Sequence, residues 1–471
     1  MPKRFTQIMF ICFVVAILFS SSLVFFTEHK QLTDGSNDKT IPTVESTYAK
    51  WTLMVYLALD NHRCTELDRD VNIFTDIGSN DEFNVVVLAD GKQMDDTIRY
   101  HATEDNSDSV FWYQPESNTG SPDVFKKFLD LTISEYPAEH YGLFIVSDWG
   151  SGWQGVCHDA TSNSLMSIPA FGDVLKEVTN NGANKLDLIG FDMCITDMIE
   201  VAYEIAPYVK YMVAKEEHGL DVSDKGPEHV WQYRTFIQNL KEDINMTPEE
   251  FANSIVYYYK PCNFTLPLFY LQILKGKNLM FSKLSAYITP LWNTFTPSIL
   301  HTPTIHTTLF AINLSKIYNI TDAVDRLAKE LLSINDMKTR FAIHKARKGV
   351  RTYGNAYPKN PYLVSTYLTW PTKLRAFDSY IDLYDFADRL WGITQNQDIK
   401  NLCETVKTEI NKVVIAKKTV QGDKSYGLSI YFPKNKRLYN KYIWGGEIPY
   451  PYEELQFSKD THWDEFLQKF L

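Results

Sequence analysis

The sequence predicts an α/β fold in which helices cover a mostly parallel sheet on both faces. Five apolar segments with the length of strands alternate with four segments of helical periodicity. Short apolar strands separated by amphipathic helices favour a parallel sheet, because the crossover helices bury both of its faces. Polar residues at strand ends are the third observation: Asp60, Asp90, Asp148 and Asp192 each fall at or near one. In open α/β sheets, functional sites gather at the carboxyl ends of the strands.

The predicted elements follow one another along the chain in this order. The strands are predicted over residues 51–58, 83–89, 142–147, 186–191 and 210–214. The helices between them are predicted over residues 66–77, 123–134, 169–178 and 197–205. After residue 218 the strand rhythm weakens, and the pattern favours helices over 248–260, 321–332, 380–391 and 401–414, then a strand over 427–432.

Composition and charge argue against a nucleic-acid interface and a structural zinc site. With 471 residues, of which 44% are hydrophobic and 14% aromatic, the chain can bury a large core. The formal net charge of −11 argues against a nucleic-acid partner, because phosphate binding needs clustered Lys and Arg. The six cysteines occur singly, without the CxxC or Cys/His spacings of structural zinc, so they predict no metal site.

The N-terminus has the pattern of a targeting segment. Lys3 and Arg4 precede an uncharged run over residues 8–26, which approaches the roughly 20 residues needed to span a bilayer. Two outcomes stay open: an uncleaved single-pass anchor with a lumenal or extracellular domain, or a cleaved signal peptide and a secreted protein. The predicted organisation is a signal peptide or anchor (1–26), a flexible polar stalk (27–50), a core (51–217) and a helix-rich C-terminal part (218–471).

Two segments carry the residues for chemistry. Residues 143–153 (LFIVSDWGSGW) form an apolar strand that enters a Gly-rich turn, and residues 186–198 (LDLIGFDMCITDM) form a strand that ends near Cys194. Together they resemble the clostripain (C11) family of cysteine peptidases, whose turn supplies a histidine and whose second strand supplies the nucleophile. Further matching blocks occur in family order over about residues 50–435: 51–61, 136–141, 152–159, 201–204 with 213–217, and 427–433.

The resemblance implies a caspase-like sheet, completed by the C-terminal part, and a role for each site residue. Cys194 would be the nucleophile, Gly150 would donate its N–H to the oxyanion, and Asp192 would lie in the S1 pocket and select Arg or Lys. Trp149 takes the place of the family histidine, and its indole N–H has no lone pair free to accept a proton. The chain thus keeps a nucleophile and lacks the usual base. Strand alternation predicts that Asp192 and Cys194 share one face.

Other roles for these residues stay open. His158 and His62 are candidate substitute bases, since a base must come within about 2.6–3.2 Å of the thiol. Asp192 could instead cap the following helix. The chemistry needs no cofactor; calcium is implied by the resemblance alone, because residues 103–109 lack the spaced ligands of an EF-hand loop.

Three functions are compatible with the sequence. The first is a catalytically impaired peptidase that binds basic peptides or proteins through the old cleft. The second is an active endopeptidase specific for Arg or Lys, in which Cys194 works with a relocated base. The third is an adhesion or scaffold ectodomain that uses the peptidase fold as a frame.

Overall fold

The computed structural model describes residues 48–61, 63–93, 96–103, 110–113, 115–147, 152–217, 230–261, 263–265, 304–353, 379–442 and 449–471. The strands of the first half are β1 (Ala49–Ala58), β2 (Phe83–Asp90), β3 (Ile98–Ala102), β4 (Val110–Tyr113), β5 (Ala138–Ser147), β6 (Val156–Asp159), β7 (Ser164–Met166), β8 (Leu186–Asp192) and β9 (Val209–Ala214). Those of the second half are β10 (Asn263–Thr265), β11 (Thr304–His306), β12 (Leu309–Asn313), β13 (Thr352–Tyr353), β14 (Tyr380–Asp382), β15 (Val414–Lys418) and β16 (Ser429–Tyr431).

The helices follow the same chain order. They are α1 (Leu67–Ile77), α2 (Pro122–Glu135), α3 (Ile168–Val178), α4 (Ile199–Ile205), α5 (Tyr233–Glu242), α6 (Pro248–Tyr258), α7 (Ile317–Ser333), α8 (Met337–Gly349), α9 (Leu383–Ile393), α10 (Gln397–Val413), α11 (Gln456–Asp460) and α12 (Trp463–Phe470). Several begin at strong local signals. Ser121 and Ser167 cap α2 and α3, each with a proline in the first turn, and Thr247 forms a capping box with Glu250 at α6.

Nine of the strands form one mixed sheet in the order β15-β12-β9-β8-β5-β1-β2-β3-β4. The five central strands, β9, β8, β5, β1 and β2, are parallel. The strands beyond them on both sides are antiparallel. The carboxyl ends of the five parallel strands therefore lie along one edge of the sheet, and this edge positions the candidate site.

Two buried clusters cover the sheet. The cluster on one face, here called the Trp231 face, includes Leu53, Phe144 and Trp231 and takes in side chains of α1, α5 and α6. The cluster on the other face, here called the Phe171 face, includes Ile145 and Phe171 and takes in α2, α3, α4 and the C-terminal helices. Successive residues of β5 alternate between the two clusters, as expected for a strand buried on both sides.

The predicted α/β fold, with a mostly parallel sheet flanked by helices, is confirmed. The sequence pattern missed β12 and β15, which come from the part predicted to be helix-rich and extend the sheet at one edge. These strands were missed because they are only five residues long, and periodicity cannot distinguish so short a strand from a piece of buried helix. None of the helices in the described ranges is long and apolar enough to cross a membrane, and the predicted anchor over residues 8–26 lies outside those ranges.

Candidate active site

The candidate site lies where the carboxyl ends of β5 and β8 meet. The two strands are parallel neighbours, and Val146 pairs with Asp192. Gly152, the first described residue after β5, has φ +59°. A Cβ at Gly152 would lie 2.8 Å from the sulfur of Met198, four residues beyond Cys194. The structure therefore brings together the two segments that the sequence analysis assigned to one site.

Cys194 lies in a buried turn that its neighbours hold in a strained conformation. Ile195 has φ +55°, a left-handed conformation that a β-branched residue adopts only under constraint. The Ile195 N–H donates to the Glu217 carbonyl over 3.4 Å, and the Asp197 N–H donates to the Lys215 carbonyl over 3.0 Å. The segment that follows β9 thus fixes the turn that carries the thiol.

The prediction that Asp192 and Cys194 share one face is wrong. β8 ends at Asp192, so strand alternation does not extend to Cys194. Cys194 packs within the cluster of the Phe171 face, whereas the Asp192 carboxylate accepts a hydrogen bond from Tyr233, which belongs to the cluster of the Trp231 face. The two side chains thus have different neighbours, with Cys194 in the cluster of the Phe171 face and Asp192 beside Tyr233.

The Asp192 carboxylate is buried and has partners from this chain. Lys215 Nζ lies 3.3 Å from Asp192 Oδ1, and both side chains are 0% exposed. Tyr233 donates its hydroxyl to Asp192 Oδ2 over 3.0 Å. Burial raises the pKa of Tyr233 well above its ordinary value, and the negative charge of Asp192 adds to that rise. The Asp192 carboxylate is therefore paired with Lys215 and hydrogen-bonded to Tyr233 inside the protein.

Arg63 connects the ends of the two strands. Its guanidinium donates to the Ser147 carbonyl over 2.8 Å and to the Asp192 carbonyl over 3.2 Å. It also pairs with Glu66 at 2.8 Å and lies 3.8 Å from Asp70. Burial raises the pKa of Asp70 to about 6, although the charge of Arg63 opposes this rise. Arg63 places a second positive charge beside the end of β8.

Three buried carboxyl groups lie behind the Cys194 turn. Burial raises the pKa values of Asp197 and Glu216 well above their ordinary range and that of Asp382 to about 7. Tyr353 Oη lies 2.8 Å from Glu216 Oε2 and 2.9 Å from Asp382 Oδ2. One hydroxyl proton cannot serve both oxygens, so one carboxyl must itself be protonated. Hydrogen bonds through these protons connect Glu216, Tyr353 and Asp382.

The structure describes the predicted site residues only in part. Trp149, Gly150 and His62 lie outside the described residues. His158 is in β6, half-buried, and its carbonyl accepts a hydrogen bond from Asn61 Nδ2 over 3.1 Å. The same Asn61 amide lies 3.5 Å from Ser147 Oγ, so the main chain of His158 is at the ends of β1 and β5. Its role as a substitute base stays a prediction.

A second group of acids lies farther along the same sheet edge. Asp60, Asp90 and Asp159 are fully buried, and each offers a carboxylate oxygen within 4.8 Å of those of the others. Burial raises the pKa of Asp60, and the charge of Asp159 raises it further. Burial also raises the pKa of Asp90 to about 8, against a hydrogen bond from Thr97. No ion pair with Lys, Arg or His joins these three acids within the described ranges.

The carboxylate oxygens of these acids suit a hard cation. Thr161 N–H donates to Asp60 Oδ2 over 2.9 Å, while Asp60 Oδ1 is buried and has no hydrogen-bond partner among the residues that the structure describes. Asp159 Oδ2 accepts from the Thr119 N–H over 2.8 Å. Calcium takes oxygen ligands, several of them carboxylates, and an orphaned buried carboxylate oxygen is what such an ion would satisfy. The chemistry of these residues therefore fits the calcium that the family resemblance implies.

Lys215, the partner of Asp192, was not predicted from the sequence. Its signal was present, because a lysine directly after a buried apolar strand is rarely solvated and needs an anion. Asp60 and Asp90 were recognised as strand-end acids, but their convergence with Asp159 was not predicted. Asp159 comes from a hairpin whose position over β1 has no signature in the local pattern.

Comparisons with known proteins agree with this geometry. A model described as the clostripain family (peptidase C11) matches residues 55–274 and 280–470. Clostripain from Hathewaya histolytica is 29% identical over 103 residues, which cover 20% of this chain and 19% of clostripain. This match thus spans about a fifth of the length of that curated relative.

Solved structures share the fold over most of the chain. A secreted C11 cysteine protease from Bacteroides thetaiotaomicron, in complex with an irreversible peptide inhibitor, aligns with TM-score 0.55 and 18% identity over 88% of this chain and 100% of its own. An inactive zymogen C11 protease from Parabacteroides distasonis aligns with TM-score 0.55 and 17% identity over 89% and 99%. At these identities, the likeness shows the fold.

Proposed function

The chain belongs to the clostripain (C11) family of cysteine peptidases, and from that premise we propose that it binds peptide segments through the C11 cleft and turns them over poorly or not at all. The observation that carries the proposal is Trp149, which stands beside Gly150 where the family resemblance places the histidine. An indole cannot take the thiol proton or return it to the leaving amine.

The described part of the site supports retained binding. Cys194 is on a strained turn beside the end of β5, and backbone hydrogen bonds from the segment after β9 hold it there. Strain of this kind persists where the surrounding structure enforces it, and it concentrates at functional sites. Because Asp192 is paired with Lys215, the proposed ligand is a peptide segment as a class, with no requirement for Arg or Lys.

An active endopeptidase with a relocated base is the alternative function. The observation in its favour is the main chain of His158 at the ends of β1 and β5, on the active-site edge. In this alternative Cys194 would attack the carbonyl, and His158 or His62 would carry the proton from the thiol to the leaving amine. An N-terminal anchor or signal over residues 8–26 would place either form outside the cytoplasm, as the secreted relative from B. thetaiotaomicron is.

Trp149→His tests the proposed loss of the base. Losing a general base costs about 10²- to 10⁴-fold in rate, so the substitution should raise cleavage of peptide reporters from background by a measurable part of that range. Reporters with Arg, Lys and norleucine before the scissile bond would be assayed with the unmodified chain, Trp149→His and Trp149→His/Cys194→Ala. The double variant should be silent.

Two results would contradict the proposal. Robust cleavage by the unmodified chain, abolished by Cys194→Ala, would establish the active alternative. Absence of peptide binding to the folded chain, measured by calorimetry with the same peptides, would remove the cleft as a binding site and favour the scaffold function.

We propose further that Asp60, Asp90 and Asp159 would hold the calcium that the family resemblance implies. The ion would neutralise three buried carboxylates. In this position it would supply charge that holds the ends of β1, β2 and β6 together, a structural contribution separate from the chemistry at Cys194.

A further inference from the structure

Strand register places Lys215 beside Asp192. In the parallel pair of β8 and β9, Ile189 lies opposite Met212 and Gly190 lies opposite Val213. The same register, continued by two residues, sets Asp192 opposite Lys215. The two side chains meet at 3.3 Å on the Trp231 face. The pair is therefore built by the central strands of the sheet, whose position does not depend on a surface loop.

Aromatic side chains pack around the ion pair of Asp192 and Lys215. Tyr233 donates to the second oxygen of Asp192 and is itself buried. Trp231 stacks on Tyr233 with ring centroids 5.7 Å apart, and a Cβ at Gly190 would lie 3.6 Å from the Trp231 ring. Phe74 packs edge-on against Tyr233 from α1. Because Asp192 and Lys215 are both 0% exposed, the pair interacts in a medium where charge is poorly screened.

The ammonium of Lys215 makes with Asp192 the charge-assisted contact that a substrate Lys or Arg would otherwise make. An incoming basic side chain would have to displace the Lys215 ammonium from Asp192 and so separate a fully buried ion pair. Breaking a buried pair in this way costs more free energy than one new charge-assisted hydrogen bond returns. Arg63, beside the Asp192 carbonyl, adds repulsion against a third cation.

We propose that Lys215 is a specificity-determining residue that occupies the S1 acid from within, so that the unmodified cleft does not select Arg or Lys. This inference rests on the proposed peptide-binding function of the cleft. It corrects the expected role of Asp192: the acid becomes a selector for basic side chains only when Lys215 is replaced. A purely structural ion pair would affect stability and leave the ranking of peptides unchanged.

A peptide pair tests the inference on the full chain. Calorimetry would compare a peptide with Arg at the pocket-filling position and its norleucine analogue, against the unmodified chain, Lys215→Met and Lys215→Met/Asp192→Asn. We expect equal affinities within about twofold for the unmodified chain, an Arg preference of about tenfold or more for Lys215→Met, and loss of that preference in the double variant. Lys215→Gln, which keeps a hydrogen-bond donor for Asp192, replaces Lys215→Met should the latter not fold by circular dichroism.

Either of two results in this experiment would overturn the role of Lys215. One is an Arg preference of about tenfold in the unmodified chain, and the other is no gain of Arg preference in a folded Lys215 variant. Both would leave peptide binding itself intact, so the proposed function would stand.

A second measurement does not depend on peptide binding. Lys215→Ala removes the side chain and leaves a space that ends at a carboxylate, so n-butylguanidinium should raise the melting temperature of this variant. It should not raise that of the unmodified chain or of Lys215→Ala/Asp192→Asn. A failure of n-butylguanidinium to stabilise Lys215→Ala would overturn the inference even where no peptide binds. Stabilisation without any peptide binding would uphold the cation subsite and contradict the proposed function alone.

Discussion

Two groups of buried acids share the carboxyl edge of one sheet, and they differ in how their charge is compensated. At the end of β8, Asp192 has Lys215 at 3.3 Å and the hydroxyl of Tyr233 at 3.0 Å. At the ends of β1, β2 and β6, three carboxylates converge. Within the described part of the chain they have no basic partner, and one oxygen of Asp60 has no hydrogen-bond partner. The first group is compensated by the chain itself; the second depends on protons or a cation from solution.

The difference lies in the residues that the neighbouring strands and loops place beside the acids. A strand-end acid in an α/β sheet is available to a ligand only when no neighbouring strand places a cation in register with it. β9 supplies such a cation to β8, whereas Thr97 and Thr119, which contact the acids of the second group, are neutral hydrogen-bond donors. The two groups thus differ in charge compensation, which Lys215 supplies at Asp192 and which no described Lys, Arg or His supplies at the three acids.

The largest expected effect comes from removing one charge at each group. Asp192→Asn breaks the buried ion pair with Lys215 and should lower the free energy of unfolding by about 3–5 kcal/mol. Asp90→Asn, measured in chelator at pH 8 or above, should be neutral or stabilising, because it removes one of several crowded negative charges. Urea unfolding of both variants checks the difference, and equal losses would show that the two groups are compensated alike.

Calcium provides the next effect. At a calcium concentration 100 times its dissociation constant, a single site adds about 2.7 kcal/mol to the stability of the folded state. The melting temperature should therefore rise when chelator is replaced by calcium. Asp60→Asn should abolish the rise, while Lys215→Gln, at the other group, should keep it. A rise that persists in Asp60→Asn would place the ion elsewhere, and no rise in the unmodified chain would exclude the site.

The smallest effect, taken per pH unit, is the pH dependence without calcium. Because the folded pKa of Asp90 is raised to about 8, the folded state binds more protons than the unfolded state between about pH 4 and pH 8. Stability should therefore fall as pH rises through this window, by at most about 1.4 kcal/mol per pH unit for this one group. Chemical unfolding in chelator at several pH values measures the slope, which Asp90→Asn should reduce. An unchanged slope would assign the pH dependence to other buried acids with raised pKa values, such as Asp70, Glu200 and Asp382.

Much of the fold could be predicted because its signals are local. All five predicted strands of the parallel centre occur, and each predicted bound lies within a few residues of the observed one; the predicted strand 142–147, for example, is the second half of Ala138–Ser147. Helix starts were marked by Ser or Thr caps followed by proline. The antiparallel strand β12 escaped prediction because five apolar residues fit a strand and a buried helix equally well.

The site could be predicted only as a set of residues. From the sequence, Cys194 and Asp192 could be placed near the end of one strand, and Trp149 could be placed where the family resemblance puts a histidine. Their predicted common face was wrong, because β8 stops at Asp192 and the left-handed Ile195 redirects the chain. No residue pattern marks such a turn, since an isoleucine is the last residue that intrinsic preference would put there.

The sequence by itself determined the class of fold, the order of its central elements and the identity of the strand-end acids, because hydrophobic periodicity and capping act over a few residues. Only the tertiary structure decided which acids meet which charges. Lys215 reaches Asp192 through the register of two strands that a helix separates in sequence, and Asp159 reaches Asp60 and Asp90 through a hairpin folded over β1. Such registers are fixed by the packing of whole faces, and a shift of one residue would turn these side chains to the opposite side of the sheet.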